Sequence, residues 1–105
     1  MPKSDPTQRL LGLLGLARRA GKLAVGTTAV RNMCNRGGKI MIIIARDVSP
    51  GQKSKLMRLT PPENIVDDLL DRADMATALG REDLTVVAVQ DRDFLKGIRT
   101  LLTGP

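Results

Sequence analysis

Residues 40–45 read IMIIIA and residues 85–89 read TVVAV, and these two runs decide the fold. Both are almost continuously apolar and rich in β-branched side chains, a pattern typical of a β-strand that is covered on both faces. A short extended stretch at residues 23–25 and a further run at residues 65–69 are predicted as additional strands. The chain therefore contains a sheet that is largely buried.

Helical segments alternate with these strands. The first begins at Asp5 as the N-cap, has Pro6 at the first helical position, and carries leucines at helical spacing as far as Gly21. Further helices are predicted over residues 27–36, from residue 50 to about 59, over about 74–79, and after residue 91, where Phe94 is expected in the core. This alternation predicts an α/β layered fold with helices on both faces of the sheet.

The chain length predicts a single domain over residues 1–105, with a core of roughly residues 7–102. No apolar run approaches the roughly 20 residues that a membrane-spanning helix needs, and residues 1–8 lack the apolar segment of a signal peptide. Cys34 is the single cysteine, so no disulfide within the chain is expected. A cytoplasmic protein without a membrane partner is predicted.

The charge is distributed unevenly along the chain, whose formal net charge is +6. Residues 1–60 carry twelve Lys or Arg side chains and only Asp5 and Asp47, whereas residues 61–105 carry five basic and nine acidic side chains. This asymmetry predicts one side that faces a polyanion and another that faces solvent.

The composition argues against an enzyme. Without histidine, no Ser-His-Asp or Cys-His arrangement and no histidine-ligated metal site is available. The phosphate-binding motifs GxxxxGK[ST] and GxGxxG are also missing from the sequence. The carboxylates of Asp67, Asp68, Asp71 and Asp74 are interpreted as a solvated helix start rather than as ligands of a divalent metal. We expect no catalytic residue, no cofactor and no small-molecule substrate.

The helix that opens at Thr27 has unusual chemistry at its start. Carboxylates normally balance the positive end of a helix, but this first turn has none and offers Thr27, Thr28 and Arg31, with Lys22 just upstream. Free backbone N–H groups at a helix start attract anions such as phosphate, and Gly26 would allow a nucleic-acid backbone to approach closely. These residues predict a phosphate-binding site.

The helix that opens at Ser49 shows the same pattern, with Lys53, Lys55 and Arg58 and no acid after Asp47. Two such helix starts on one face would form a basic cleft. Because Phe94 is the only aromatic residue, base-stacking platforms are excluded. Two modes of nucleic-acid binding stay open. One is recognition of folded RNA through its shape and phosphates, and the other is readout of the DNA major groove.

Three segments resemble one known family. Residues 13–30 (LLGLARRAGKLAVGTTAV), residues 40–50 (IMIIIARDVSP) and residues 74–80 (DMATALG) resemble the ribosomal-protein L7Ae/L30e family, and especially its bacterial YlxQ-like branch. The resemblance covers nearly the whole chain. It implies a three-layer α-β-α sandwich, here with a mixed, mostly buried four-stranded sheet, no enzymatic activity, and binding to kink-turn or similarly bent RNA.

The resemblance also implies where RNA would bind. The kink-turn signature of the family reads G-T-N-E-T-T-K, and Gly26 and Thr27 match its first two positions. Thr28 and Ala29 replace the Asn and Glu that would read sheared G·A pairs, and Asn32 replaces the Lys. The electrostatic part of the site is therefore expected here without its base-reading side chains.

Two further elements complete the predicted site. Met75 and Ala76 occupy the place of the apolar loop that covers a flipped-out base in the family, and Arg46 adds positive charge near the cleft. The predicted RNA-binding residues are Lys22, Gly26, Thr27, Thr28, Arg31, Asn32, Arg46, Lys53, Met75 and Ala76.

The sequence as a whole predicts a non-enzymatic RNA-binding protein that recognises structured RNA, either a kink-turn or ribosomal RNA, in association with the ribosome. Two alternatives stay open. One is a protein-interaction module of the same fold that no longer binds RNA. The other is an RNA-binding accessory domain of a larger modification enzyme.

Overall fold

The computed structural model of the protein describes residues 5–103. Five α-helices, four strands and one short 3-10 helix alternate along this range. In chain order they are α1 (Pro6–Arg19), β1 (Leu23–Val25), α2 (Thr27–Arg36), β2 (Ile40–Ile44), α3 (Pro50–Met57), the 3-10 helix (Pro62–Asn64), β3 (Ile65–Val66), α4 (Arg72–Leu79), β4 (Val86–Gln90) and α5 (Arg92–Thr103).

The four strands form one mixed sheet in the order β1-β4-β2-β3. Strand β4 runs antiparallel to both of its neighbours, whereas β2 and β3 are parallel. Strands β1, β2 and β3 therefore point in the same direction. Their carboxyl ends meet the start of β4 at one edge of the sheet, which we call the front edge. The opposite edge, where β1 and β2 start and β4 ends, is the back edge.

Side chains of the central strands alternate between two cores, because successive residues of a strand point to opposite faces. Met41, Ile43 and Val87 pack with buried residues of α1, α4 and α5. Ile42 and Ile44 pack on the other face, against residues of α2 and α3. All five residues of β2 are buried. The predicted three-layer α-β-α sandwich with a mixed four-stranded sheet is thus confirmed.

Several local predictions need correction. Strand β3 ends at Val66 instead of residue 69, as the polar pair Asp67 and Asp68 follows it. Helix α4 starts at Arg72, two residues before the predicted start, because Asp71 caps it. Phe94 packs against the core as predicted but is only half-buried, whereas its neighbour Leu95 is buried. No helix in residues 5–103 combines the length and the apolar character needed to cross a bilayer.

Candidate nucleic-acid interface

The start of α2 lies at the front edge, directly after β1. Gly26 is the N-cap residue, with a φ of 91°, and its N–H donates to the carbonyl oxygen of Val86 at 3.0 Å. Within residues 5–103 no side chain caps this helix, and its first turn contains no acid. The first N–H groups of α2 therefore lack intrahelical acceptors and add to the positive end of the helix dipole. Thr28 and Arg31 are exposed beside them.

Helix α3 starts next to α2, and one side chain ties the two together. Gln52 lies in the first turn of α3, where its backbone N–H donates to the Ser49 hydroxyl at 3.3 Å. Its side-chain amide donates to the Thr85 hydroxyl at 2.9 Å and to the Thr27 hydroxyl at 3.4 Å. Gln52 thus fixes the start of α2 against α3 and the start of β4. The Thr27 hydroxyl accepts in this contact, so its own proton is free to point to another acceptor.

Gln52 was missed by the sequence analysis. Its place three residues after Ser49 indicates a role at the start of α3. Its partners Thr27 and Thr85 lie 25 and 33 residues away along the chain. Only the sheet order brings these three residues together.

The predicted cations of the front edge differ in their surroundings. Lys53 pairs with Asp67 at 3.0 Å, and Arg46 pairs with Asp71 at 3.4 Å. In the part of the chain that the structure describes, no carboxylate oxygen lies within 4.0 Å of Arg31. These two cations near α3 and α4 are therefore paired with acids, whereas Arg31 beside the start of α2 has no such partner among the described residues.

The carboxylates at the front edge accept backbone N–H groups at the start of α4. Asp71 and Asp74 form a reciprocal capping box, and Asp47 accepts the backbone N–H of Arg72 at 2.9 Å. That hydrogen bond, together with the charge of the Arg72 guanidinium, lowers the pKa of Asp47. Within residues 5–103, His, Cys, Asp and Glu side chains form no group of three or more that could hold a metal ion.

Three of the predicted RNA-binding residues lie at the other edge of the sheet or in the core. Lys22 lies at the back edge, where its carbonyl oxygen accepts the N–H of Gln90 at 3.0 Å. Met75 is 0% exposed and Ala76 is 8% exposed, because α4 is a continuous helix that turns both side chains into the core. The expectation that Met75 and Ala76 form an apolar loop over a base is therefore wrong. The four-residue spacing of Met75 and Leu79 was the signal for a buried helical face.

Comparison with known proteins gives the following relationships. A protein of unknown function from Bacillus halodurans has a similar structure, with a TM-score of 0.77 and 27% sequence identity over 90% of this chain and 97% of the other. No match is found among the curated proteins. The sequence pattern of the ribosomal protein L7Ae/L30e/S12e/Gadd45 family matches residues 8–96. The chain therefore belongs to the ribosomal protein L7Ae/L30e/S12e/Gadd45 family.

Proposed function

We propose that this protein binds structured RNA, without catalysing a reaction, at the front edge where α2 and α3 start. Membership of a ribosomal-protein family supports RNA as the class of partner. The observation that carries the proposal is the start of α2. Among the five α-helices of residues 5–103, it alone has no side chain at its N-terminal end that accepts a backbone N–H.

The chemistry of this start suits a phosphate group. Unsatisfied N–H groups and the helix dipole attract an anion, and the side chains of Thr28, Arg31 and Asn32 in the first two turns of α2 are exposed. A Cβ atom built on Gly26 would have no neighbour within 4 Å. The space above Gly26 is therefore open to an RNA backbone.

We propose recognition by shape and phosphate contacts rather than by base reading. Thr28 is exposed and can make a hydrogen bond, but Ala29 is half-buried against the core and has no polar side-chain atom. A kink-turn and ribosomal RNA are the two candidate targets. The ribosome of a bacterial cell, and hence the cytoplasm, is the proposed place of action, in line with the resemblance to the YlxQ-like branch.

Arg31→Glu tests the site, and Arg81→Glu is its matched control. Both side chains are exposed, and each substitution changes the net charge by the same amount. In gel shifts with a kink-turn RNA and with deproteinised ribosomal RNA, we expect Arg31→Glu to lower the affinity about tenfold or more. The affinity of the natural protein should fall steeply with salt, because phosphate contacts release counterions. Equal affinities of the two variants, or binding that ignores salt, would contradict the proposal.

The kink-turn itself is tested by changing the RNA. Replacing the sheared G·A pairs by Watson–Crick pairs removes both their base edges and the bend that they maintain. Because we propose recognition by shape, we expect a clear loss of affinity for this RNA, and an unchanged affinity would show that phosphate contacts alone account for binding.

The alternative is a protein-interaction module that no longer binds RNA. The replacements at Thr28, Ala29 and Asn32 favour it. It predicts no gel shift with either RNA at moderate salt, whereas the proposed function predicts a clear shift.

A further inference from the structure

The back edge carries a second group of cations that the proposed RNA site does not use. Four of them, Lys39 before β2 and Arg92, Lys96 and Arg99 on α5, line one pocket of about 480 Å³. The other described residues of its wall are Leu95, Thr100 and Thr103, so none of the acids that the structure describes lines the pocket. We call this surface the α5 basic pocket.

Folding of the chain does not explain this arrangement. Arg92, Lys96 and Arg99 follow one another at spacings of four and three residues, so they are neighbours on the surface of α5. Like charges at these spacings destabilise a helix. In residues 5–103, no carboxylate oxygen lies within 4.0 Å of any of the four cations, although Arg99 donates to the side-chain oxygen of Asn64.

The acids at the start of α5 lie outside the wall of the pocket. Asp91 accepts the backbone N–H of Asp93, and Asp93 lines the neighbouring groove between α1 and α5. Among the described residues, only Lys96 and Thr100 line both cavities. The pocket is therefore a place where an external anion would be stabilised.

Lys22 extends this surface along the back edge. The N–H of Gln90 donates to the carbonyl oxygen of Lys22, and Gln90 also pairs with Ile40 of β2. Lys22 and Lys39 thus flank the end of β4 on its two sides, about 10 Å apart by the usual strand spacing. Lys22 was predicted to bind RNA, and its place in the fold assigns it to this surface instead of the front edge.

We propose that the α5 basic pocket and Lys22 bind the phosphate backbone of a second RNA segment. This inference rests on the proposed RNA-binding function. The five residues of β2 separate the two edges by about 15 Å, so one phosphate group cannot contact both. Several cations from three parts of the chain, none of them paired with a carboxylate of the described residues, suit the run of phosphates along an RNA backbone.

The test compares Lys39→Glu and Lys96→Glu with Arg81→Glu. All three side chains are exposed, and each change has the same effect on net charge. Binding to intact deproteinised ribosomal RNA is measured over a range of salt concentrations. We expect each back-edge variant to bind about fivefold or more weakly than Arg81→Glu, and the slope of log affinity against log salt to decrease by about one for each lost phosphate contact. Thermal melting of each variant checks that it is folded.

Combination with Arg31→Glu separates this inference from the proposed function. If the two surfaces act independently, the effects of Arg31→Glu and Lys96→Glu multiply in the double variant. If RNA affinity falls in Arg31→Glu but not in Lys39→Glu or Lys96→Glu, the second surface is excluded and the proposed function stands. If all variants bind like Arg81→Glu, both proposals fail. If the pocket binds an acidic protein segment instead of RNA, Lys39→Glu and Lys96→Glu will bind RNA like Arg81→Glu.

Discussion

The starts of α2 and α4 lie at the same edge of the sheet but have opposite chemistry. At α4, Asp71 accepts the N–H of Asp74 at 2.7 Å, the Asp74 carboxylate accepts the N–H of Asp71 at 3.3 Å, and Asp47 accepts the N–H of Arg72. At α2, the N-cap is Gly26, and no side chain in the described part of the chain satisfies the first N–H groups. One helix start is closed by the protein's own carboxylates, and the other is left open.

The difference shows that stability and ligand binding place opposite demands on a helix start. Carboxylates at the first turn stabilise the helix and would repel a phosphate group. The start of α2 has hydroxyls, an arginine and free N–H groups instead. These groups stabilise a helix less than carboxylates do, but they can bind a phosphate group. The front edge therefore combines a structural helix start at α4 with a candidate binding start at α2.

The largest effect is expected from Gly26→Ala. A φ of 91° is strained for a residue with a Cβ atom, and such strain costs about 1–3 kcal/mol in the free energy of unfolding. Denaturation by urea measures the loss. Gly12→Ala is the control, because Gly12 lies in α1 with open space around it, and it should stabilise the protein by up to about 1 kcal/mol. Equal effects of the two changes would show that the conformation of Gly26 is not a constraint.

Asp71→Ala is expected to have the next largest effect. It removes the N-cap of α4 and the partner of Arg46, and loss of a cap costs about 1 kcal/mol in the free energy of unfolding. Urea denaturation is again the measurement. RNA affinity should not fall, since Asp71 would repel phosphate. A weaker affinity would place α4 within the RNA interface.

Thr28→Asp should act in opposite directions on stability and binding. A carboxylate in the first turn of α2 should stabilise the folded state by about 0.3–1 kcal/mol, and RNA affinity should fall because the new charge repels phosphate. Asn35→Asp adds the same charge in the last turn of α2, where it should slightly destabilise the helix. Urea denaturation and gel shifts of both variants test the comparison. RNA affinity that is unchanged in Thr28→Asp would exclude the start of α2 as the phosphate site.

The smallest effect is expected from Asp47→Asn, which should change how the stability of the protein depends on pH. The N–H and the charge of Arg72 lower the pKa of Asp47 in the folded state. The stabilisation by this carboxylate is therefore present above its ordinary pKa and is lost as the pH falls through the lowered value. Asp47→Asn should give a protein whose stability decreases less on acidification, as measured by thermal melting over a pH series. An unchanged pH profile would show that the interaction contributes nothing to folding.

The sequence predicted more of the fold than of the candidate site. Runs such as residues 40–45 determine strands locally, because a continuous apolar stretch must be covered on both faces. The start of α2 was also predictable, since Gly26 and the missing carboxylates are visible in the sequence. Met75 and Ala76 were misassigned because family position outweighed the helical spacing that buries them.

The sequence by itself determined the alternation of helices and buried strands, the family, and the open start of α2, since each depends on neighbouring residues. Only the tertiary structure decided which of these residues meet. The strand order β1-β4-β2-β3 brings Gln52 to Thr27 and Thr85, pairs Lys53 with Asp67, and sends Lys22 to the back edge. These contacts depend on long-range strand pairing, and local propensity carries no information about it.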